Sequence, residues 1–154
     1  TGAKTHRALR VIAQDDQIGL GQYGNWCWIE QEPTAEDGFA VRLNNNHIEW
    51  CVQWNYSPAQ FEPNTKYDVY ARIRVAKKGS GGDAFWAGIY DTVHAVGLGS
   101  IQPKMTEIKD SEWHLYKLGT VIPAKGHYVW MGPQANAANQ DGLWLDYFEL
   151  RAVK

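Results

Sequence analysis

Short apolar and aromatic runs alternate along the chain with clusters of Gly, Pro, Asn and Asp, which is the pattern of an all-β domain. The spacing predicts strands over residues 8–13, 26–31, 39–43, 47–54, 67–75, 84–90, 113–118, 128–131 and 143–152. The clearest period of two runs from Tyr67 to Val75. Tyr67, Val69, Ala71, Ile73 and Val75 share one face, while Asp68, Tyr70, Arg72 and Arg74 share the other. The first set predicts a core, and the second leaves a Tyr and two Arg on an open sheet face. Between the strands, Leu43-Asn44-Asn45-Asn46-His47 reads as a tight hairpin, because Asn tolerates positive φ. Residues 77–83, rich in Lys, Gly and Ser, read as a solvated hairpin loop, and residues 133–142 as a polar loop before the last strand. A short helical turn is expected near residues 34–37, but no dozen residues carry a clean 3.6-residue apolar period. About nine strands in one domain imply two packed antiparallel sheets, a β-sandwich or jelly roll.

The length of 154 residues fits one domain over residues 1–154, with a core large enough to stand without metals. The opening Thr1-Gly2-Ala3-Lys4 has neither an initiator Met nor an apolar signal core, and is expected of a domain taken from a larger secreted protein. A formal net charge of −2 gives no field that would drive the chain toward nucleic acid or an anionic membrane, and no apolar run approaches membrane length. The aromatic content changes the picture more. Eight Trp and eight Tyr stand beside four Phe and two Met, so rings with a polar tip outnumber purely apolar ones. Such rings suit a flat apolar face that meets a partly wet partner. Cys27 and Cys51 admit two readings: one disulfide in an exported protein, or two buried thiols.

Motifs for catalysis are missing. HExxH, GxxxxGK[ST] and GxSxG do not occur, and the string Gly19-Leu20-Gly21-Gln22-Tyr23-Gly24 fits GxGxxG without the helix that a dinucleotide site needs. The five His are scattered, and Asp68, Asp91, Asp146 and Glu149 offer no spacing that picks out a glycosidase pair. The chain is therefore expected not to be an enzyme.

Several stretches together resemble bacterial β-sandwich carbohydrate-binding modules of the family 6/35-like group. The ending Asp141-Gly142-Leu143-Trp144-Leu145-Asp146-Tyr147-Phe148-Glu149-Leu150 is similar to their closing strand, and Trp113-His114-Leu115-Tyr116-Lys117-Leu118-Gly119 to an aromatic–x–x–Tyr–x–x–Gly strand. Residues 39–50 resemble their early hairpin, and residues 67–75 with 87–91 their central strands. The resemblance implies a secreted, non-catalytic, monomeric module that targets a linked catalytic domain to a polysaccharide. It also implies a structural calcium. The Glu-x-Glu strand those modules use for it is replaced here by Leu9-Arg10-Val11-Ile12-Ala13, which leaves Asp15, Asp16 and Asp146 as candidate ligands, or Asp146 as a residue that only hydrogen-bonds a neighbouring loop backbone.

A sugar presents C–H bonds on its ring face and hydroxyls at its rim, so exposed rings beside amides are the constellation to seek. Four places qualify: Tyr23 and Trp26; Trp54 and Tyr56; Trp86 and Tyr90; and Trp130 with Gln134 and Asn136, with core packing the rival reading for each Trp. Arg72 and Arg74 admit two readings: two guanidinium forks able to pair with the carboxylates of an acidic polysaccharide, or a solvated outer face paired with Glu or Asp on neighbouring strands. Two rival readings remain: a structural or adhesion sandwich, and a small polysaccharide lyase or glycosidase domain.

Overall fold

The alternation read between Tyr67 and Val75 sets the first layer. In the computed structural model, which describes residues 8–45, 50–134 and 137–153, this stretch lies in a long strand, and every second side chain is buried. The strands are β1 (Arg10–Ala13), β2 (Gly19–Leu20), β3 (Cys27–Gln31), β4 (Phe39–Leu43), β5 (Val52–Trp54), β6 (Tyr67–Lys77), β7 (Phe85–Asp91), β8 (Val96–Ile101), β9 (Trp113–Val121), β10 (His127–Pro133) and β11 (Gln140–Ala152). They form two antiparallel sheets. One runs β3-β4-β11-β6-β9 with β1 also on β11, and the other runs β2-β5-β10-β7-β8. The two-sheet sandwich expected from the sequence is the observed fold.

Core side chains come from both sheets. Val69, Ala71, Ile73, Leu143, Leu145, Phe148 and Leu150 line the inner face of the first, and Phe85, Ala87, Ile89, Val129 and Met131 that of the second. In β11 the inward positions change parity between Leu145 and Phe148, because the ladder with β6 slips one residue between Leu145 and Tyr147. That bulge carries Asp146. Before it β11 pairs with β4 through Trp144 and Leu145, and after it with β1 through residues 148–151.

Two turns differ from expectation. β4 pairs with β3 and β11, whereas β5 pairs with β2 and β10, so the chain after Leu43 crosses between sheets and makes no hairpin. Asn46 and His47 of that stretch lie outside the described residues. Residues 78–84 likewise carry the chain from β6 in one sheet to β7 in the other. In both cases the buried faces of the flanking strands pack across the sandwich rather than beside each other, which turn-residue chemistry alone does not reveal. Residues 33–38 form successive turns instead of a helix, with the Ala35 N–H donating to Glu32 O at 3.0 Å and the Glu32 N–H to Gly38 O at 2.8 Å. The loop after β10 is shorter than the 133–142 reading, since Pro133 belongs to β10 and β11 begins at Gln140.

Tyr67 ties the ends of this frame together. Its ring is fully buried against Phe61, and its hydroxyl donates to Ala8 O at 2.8 Å while accepting from the Glu62 N–H at 3.0 Å. Tyr67→Phe keeps the ring and removes both bonds. A loss of about 1–3 kcal/mol in unfolding free energy is expected, measured by urea denaturation; an unchanged midpoint would show that the hydroxyl does not pin these segments.

Candidate functional site

β7 and β10 lie side by side near the middle of the five-stranded sheet, and each sends one set of side chains inward and the other out. The outward set is Trp86, Gly88 and Tyr90 on β7, with Tyr128, Trp130 and Gly132 on β10. Their register places Tyr90 opposite Tyr128, Gly88 opposite Trp130, and Trp86 opposite Gly132. Each indole therefore faces a glycine and has room to lie over the neighbouring strand. Trp86 and Trp130 meet edge to face with centroids 5.4 Å apart, and Tyr90 and Tyr128 tilt together at 5.7 Å. A Cβ on Gly88 would stand 3.0 Å from the Trp130 ring and 2.6 Å from Gly99 O, so glycine is the residue that fits there.

Trp50, 37% exposed, closes one side of this trough and is braced edge-on by Trp26 at 6.1 Å. The five rings of Trp50, Trp86, Tyr90, Tyr128 and Trp130 line a hollow of about 270 Å³. Two further hollows share its rings. One, of about 280 Å³, shares Tyr128 and adds Gln53, Asn55, Thr92 and His127; the other, of about 330 Å³, shares Tyr90 and Trp130 and adds Gly97, Gly99 and Ser100. Gln53 stands beside Trp130 on β5, and Ser100 beside Gly88 on β8, so amide and hydroxyl groups border the rings. No Asp, Glu, Lys or Arg lines any of the three. The one titratable imidazole, His127, is buried, which pushes its pKa below the ordinary histidine value; its Nδ1 lies 2.9 Å from the Tyr56 hydroxyl. A larger cleft of about 420 Å³, between Ile101 and Lys117, has Tyr116 as its one ring and is bordered by Glu107 and Lys117, so it offers no platform for stacking.

The opposite outer face has the contrary chemistry. Arg42 and Arg74 flank the Trp144 ring at 4.8 and 4.9 Å, and Arg72 covers Trp113 at 5.1 Å. Arg72 also pairs with Asp146; Arg74 pairs with Glu32 at 3.6 Å and donates from Nε to Ser111 O at 2.7 Å. Of the two readings of these forks, the structure has the paired one: both guanidinium groups are engaged by acids, a carbonyl and rings of the same face.

Of the other sequence candidates, Trp54 and Tyr56 are turned inward, 6% and 4% exposed, and pack edge to face at 5.4 Å. Alternation along the short β5 points Trp54 with Val52 into the sandwich and leaves Gln53 outside. Tyr23 is exposed, its hydroxyl accepts from the Ile29 N–H at 3.1 Å, and it does not line the trough. Gln134 is half-buried, with its carbonyl accepting from Asn45 Nδ2 at 2.6 Å, and Asn136 lies outside the described residues. The structure therefore brings Trp86, Tyr90 and Trp130 together, with Trp26 behind them. Trp50 and Tyr128 were missed. Tyr128 was findable, because Tyr128-x-Trp130 has the same period of two that pairs Trp86 with Tyr90.

Among the described residues no three acidic, imidazole or thiol side chains stand together as a metal cage. One corner comes closest in its chemistry. Asp146 Oδ2 accepts the Glu36 N–H at 2.9 Å and the Arg72 guanidinium, while its buried Oδ1 has no hydrogen-bond partner. Gln14 donates from Nε2 to Glu36 at 3.3 Å and its buried Oε1 is likewise unpartnered. Burial and the adjacent Asp37 carboxyl push Asp15 up to about 6. Asp16, by contrast, is exposed.

No family model matches the chain, and no curated protein matches it. Solved structures do. The CBM22-1 xylan-binding domain of a Paenibacillus barcinonensis protein is 13% identical, with 99% of each chain covered and a TM-score of 0.59. A CBM6 carbohydrate-binding module from Cellvibrio mixtus lichenase 5A, in complex with cellotriose, is 14% identical over 94% of this chain and 98% of that one, with a TM-score of 0.52. The Podospora anserina GH26-CBM35 β-(1,4)-mannanase is 10% identical with a TM-score of 0.59; the match covers 94% of this chain but 28% of the mannanase. The chain has the two-sheet β-sandwich fold of these carbohydrate-binding modules.

Proposed function

We propose that this protein is a non-catalytic module that binds a neutral polysaccharide along the outer face of its five-stranded sheet. The observation that carries this reading is the trough of five rings whose borders hold amides and hydroxyls but no charge. Rings cover the C–H faces of successive sugars, while Gln53, Asn55, Thr92 and Ser100 exchange hydrogen bonds with the rims. A uronate or sulfate in the trough would lose water with no cation to meet it, so acidic polymers are disfavoured. No carboxylate pair borders the trough to supply acid and base, which supports binding without cleavage. The names of the similar structures, a xylan-binding domain and a cellotriose complex, point the same way. Extracellular placement and a linked catalytic domain complete the proposal. Weak contacts at each sugar then gain through the effective concentration the linkage provides.

Affinity gels containing neutral xylan, glucan or mannan should retard the protein, whereas alginate, pectate and sulfated polymers should not. Trp130→Ala removes a ring worth about 1.5–3 kcal/mol on full burial and should weaken retention roughly tenfold or more. Arg74→Ala, on the far face, should leave retention unchanged. Retention by acidic polymers alone, lost with Arg74→Ala, would contradict the assignment.

We also propose a structural calcium in the corner of Asp146. Asp146 Oδ1 and Gln14 Oε1 are hard oxygens buried without partners, and the bonded Asp15–Asp37 pair acts on this corner, so a bound calcium would have to gather acids that form no cage without it. Bound there, it would neutralise the acids and fix residues 14–18 against β11. The sign of the pH dependence follows from Asp15. Its pKa rises on folding from 3.8 to about 6, so its contribution to stability is full at low pH and is lost as pH rises through 6. With a chelator present, the melting temperature should fall between about pH 4 and pH 6, and Asp15→Asn should flatten that fall. Millimolar calcium should reverse it in the parent protein. A melting temperature indifferent to calcium would remove the ion from the account.

A further inference from the structure

Cys27 and Cys51 have no part in the trough, yet they sit immediately beneath its rim. Cys27 opens β3 in the six-stranded sheet, and Cys51 directly precedes β5 in the five-stranded one; both are fully buried. Their neighbours in sequence, Trp26 and Trp50, are the pair that closes one side of the trough. Two sets of bonds hold the cysteines together. Cys27 Sγ lies 3.3 Å from Gly21 O while the Gly21 N–H donates to Cys51 O at 2.9 Å, and Cys51 Sγ lies 3.5 Å from Trp26 O, the carbonyl bonded to Cys27 N. Both cysteines carry free thiols in this structure, each set against a carbonyl next to the other's backbone. Their contact draws Cys27 below the ordinary thiol range and drives Cys51 above it.

From this geometry we propose that Cys27 and Cys51 are a disulfide site, closed under oxidising conditions, that staples the two sheets behind Trp50 and fixes that ring at the edge of the trough. The oxidant is a small disulfide such as oxidised glutathione. The Cys27 thiolate attacks one sulfur of that disulfide, breaking its S–S bond and releasing one thiolate. Cys51, deprotonated, then attacks the Cys27 sulfur of the mixed disulfide, forming the protein bond and releasing the second thiolate. Two electrons pass from the protein to the small disulfide, and the two protons lost by the cysteines end on the released thiols. A mixed disulfide does not fit in a fully buried site, so the exchange takes place before the sheets close, as the chain folds.

The closed bond makes Trp50 less free to leave the trough, and reduction should therefore weaken glycan binding several-fold. This consequence rests on the binding site proposed above; the bond itself does not. The full chain is refolded from denaturant, once in a glutathione redox buffer and once with a phosphine reductant. The oxidised product is expected to be lighter by two hydrogens, to yield a linked Cys27–Cys51 peptide on digestion without reductant, and to melt roughly 6–12 °C higher. Single variants Cys27→Ala and Cys51→Ala, one of which suffices if the other does not fold, should melt alike in both buffers. Two titratable thiols remaining after oxidative refolding would overturn the disulfide. A bond that forms and raises the melting temperature, while neutral-glycan affinity stays equal in both states, would overturn its link to Trp50. Absence of glycan binding in both states, with the bond formed, would count against the trough and leave the disulfide standing.

Discussion

The ladder between β6 and β11 carries the molecule. Eleven residues of the last strand pair with the longest internal one, and each side contributes an apolar row, Val69 to Val75 from β6 and Leu143 to Leu150 from β11, to the inner face. Burying such rows at about 25 cal/mol per Å² of apolar surface is the main force holding two sheets together. The bulge at Asp146 makes this possible along the whole length. It restores the inward phase after Leu145, and it hands the other edge of β11 from β4 to β1. An ionisable group at a bulge inside a sheet requires partners, and Arg72 and the Glu36 backbone provide them.

With the inner faces buried, the outer faces are free to differ, and they do so in kind. The six-stranded sheet has an outer face of Arg, Glu and Trp locked to each other, with Glu149 fully buried between Arg10 and Arg151. Cation–π contacts and ion pairs there engage Arg42, Arg72 and Arg74 with rings and acids of the same face. The five-stranded sheet has rings alternating with glycines and no charge in the trough. For the neutral polymer proposed above, the second face offers apolar rings with polar edges, whereas the first offers charges largely paired with one another. The glycines matter as much as the rings, because Gly88 and Gly132 stand opposite the two indoles and leave them room to meet edge to face.

Much of the fold was legible from the sequence. Apolar runs between turn clusters located most strands, and period-two alternation was clear in β6 and β7, where a buried face opposes an outer one. β2 and β8 escaped: Gly19–Leu20 is too short for alternation, and Val96–Ile101 carries two glycines that break it. Which strands pair was less legible, since the Asn run after Leu43 has hairpin chemistry yet joins two sheets. At the site, periodicity grouped Trp86 with Tyr90, and the same rule applied to Tyr128 and Trp130 completes the floor. It could not show that Trp54 turns inward, because three residues of β5 are too few to fix a phase. Nor could it show that Arg72 and Arg74 meet Asp146 and Glu32, which are 74 and 42 positions away in the sequence.

The central claim is that the glycan lies on the neutral aromatic face and not on the charged one, and the chain's own indoles report on both. The direct measurement is a titration of ¹⁵N-labelled protein with neutral β-linked oligosaccharides, following the indole N–H signals of its eight Trp. The account predicts that Trp50, Trp86 and Trp130 shift together with one dissociation constant, while Trp113 and Trp144 stay in place. Shifts of Trp113 and Trp144, with Trp86 and Trp130 still, would move the site to the other sheet and contradict it.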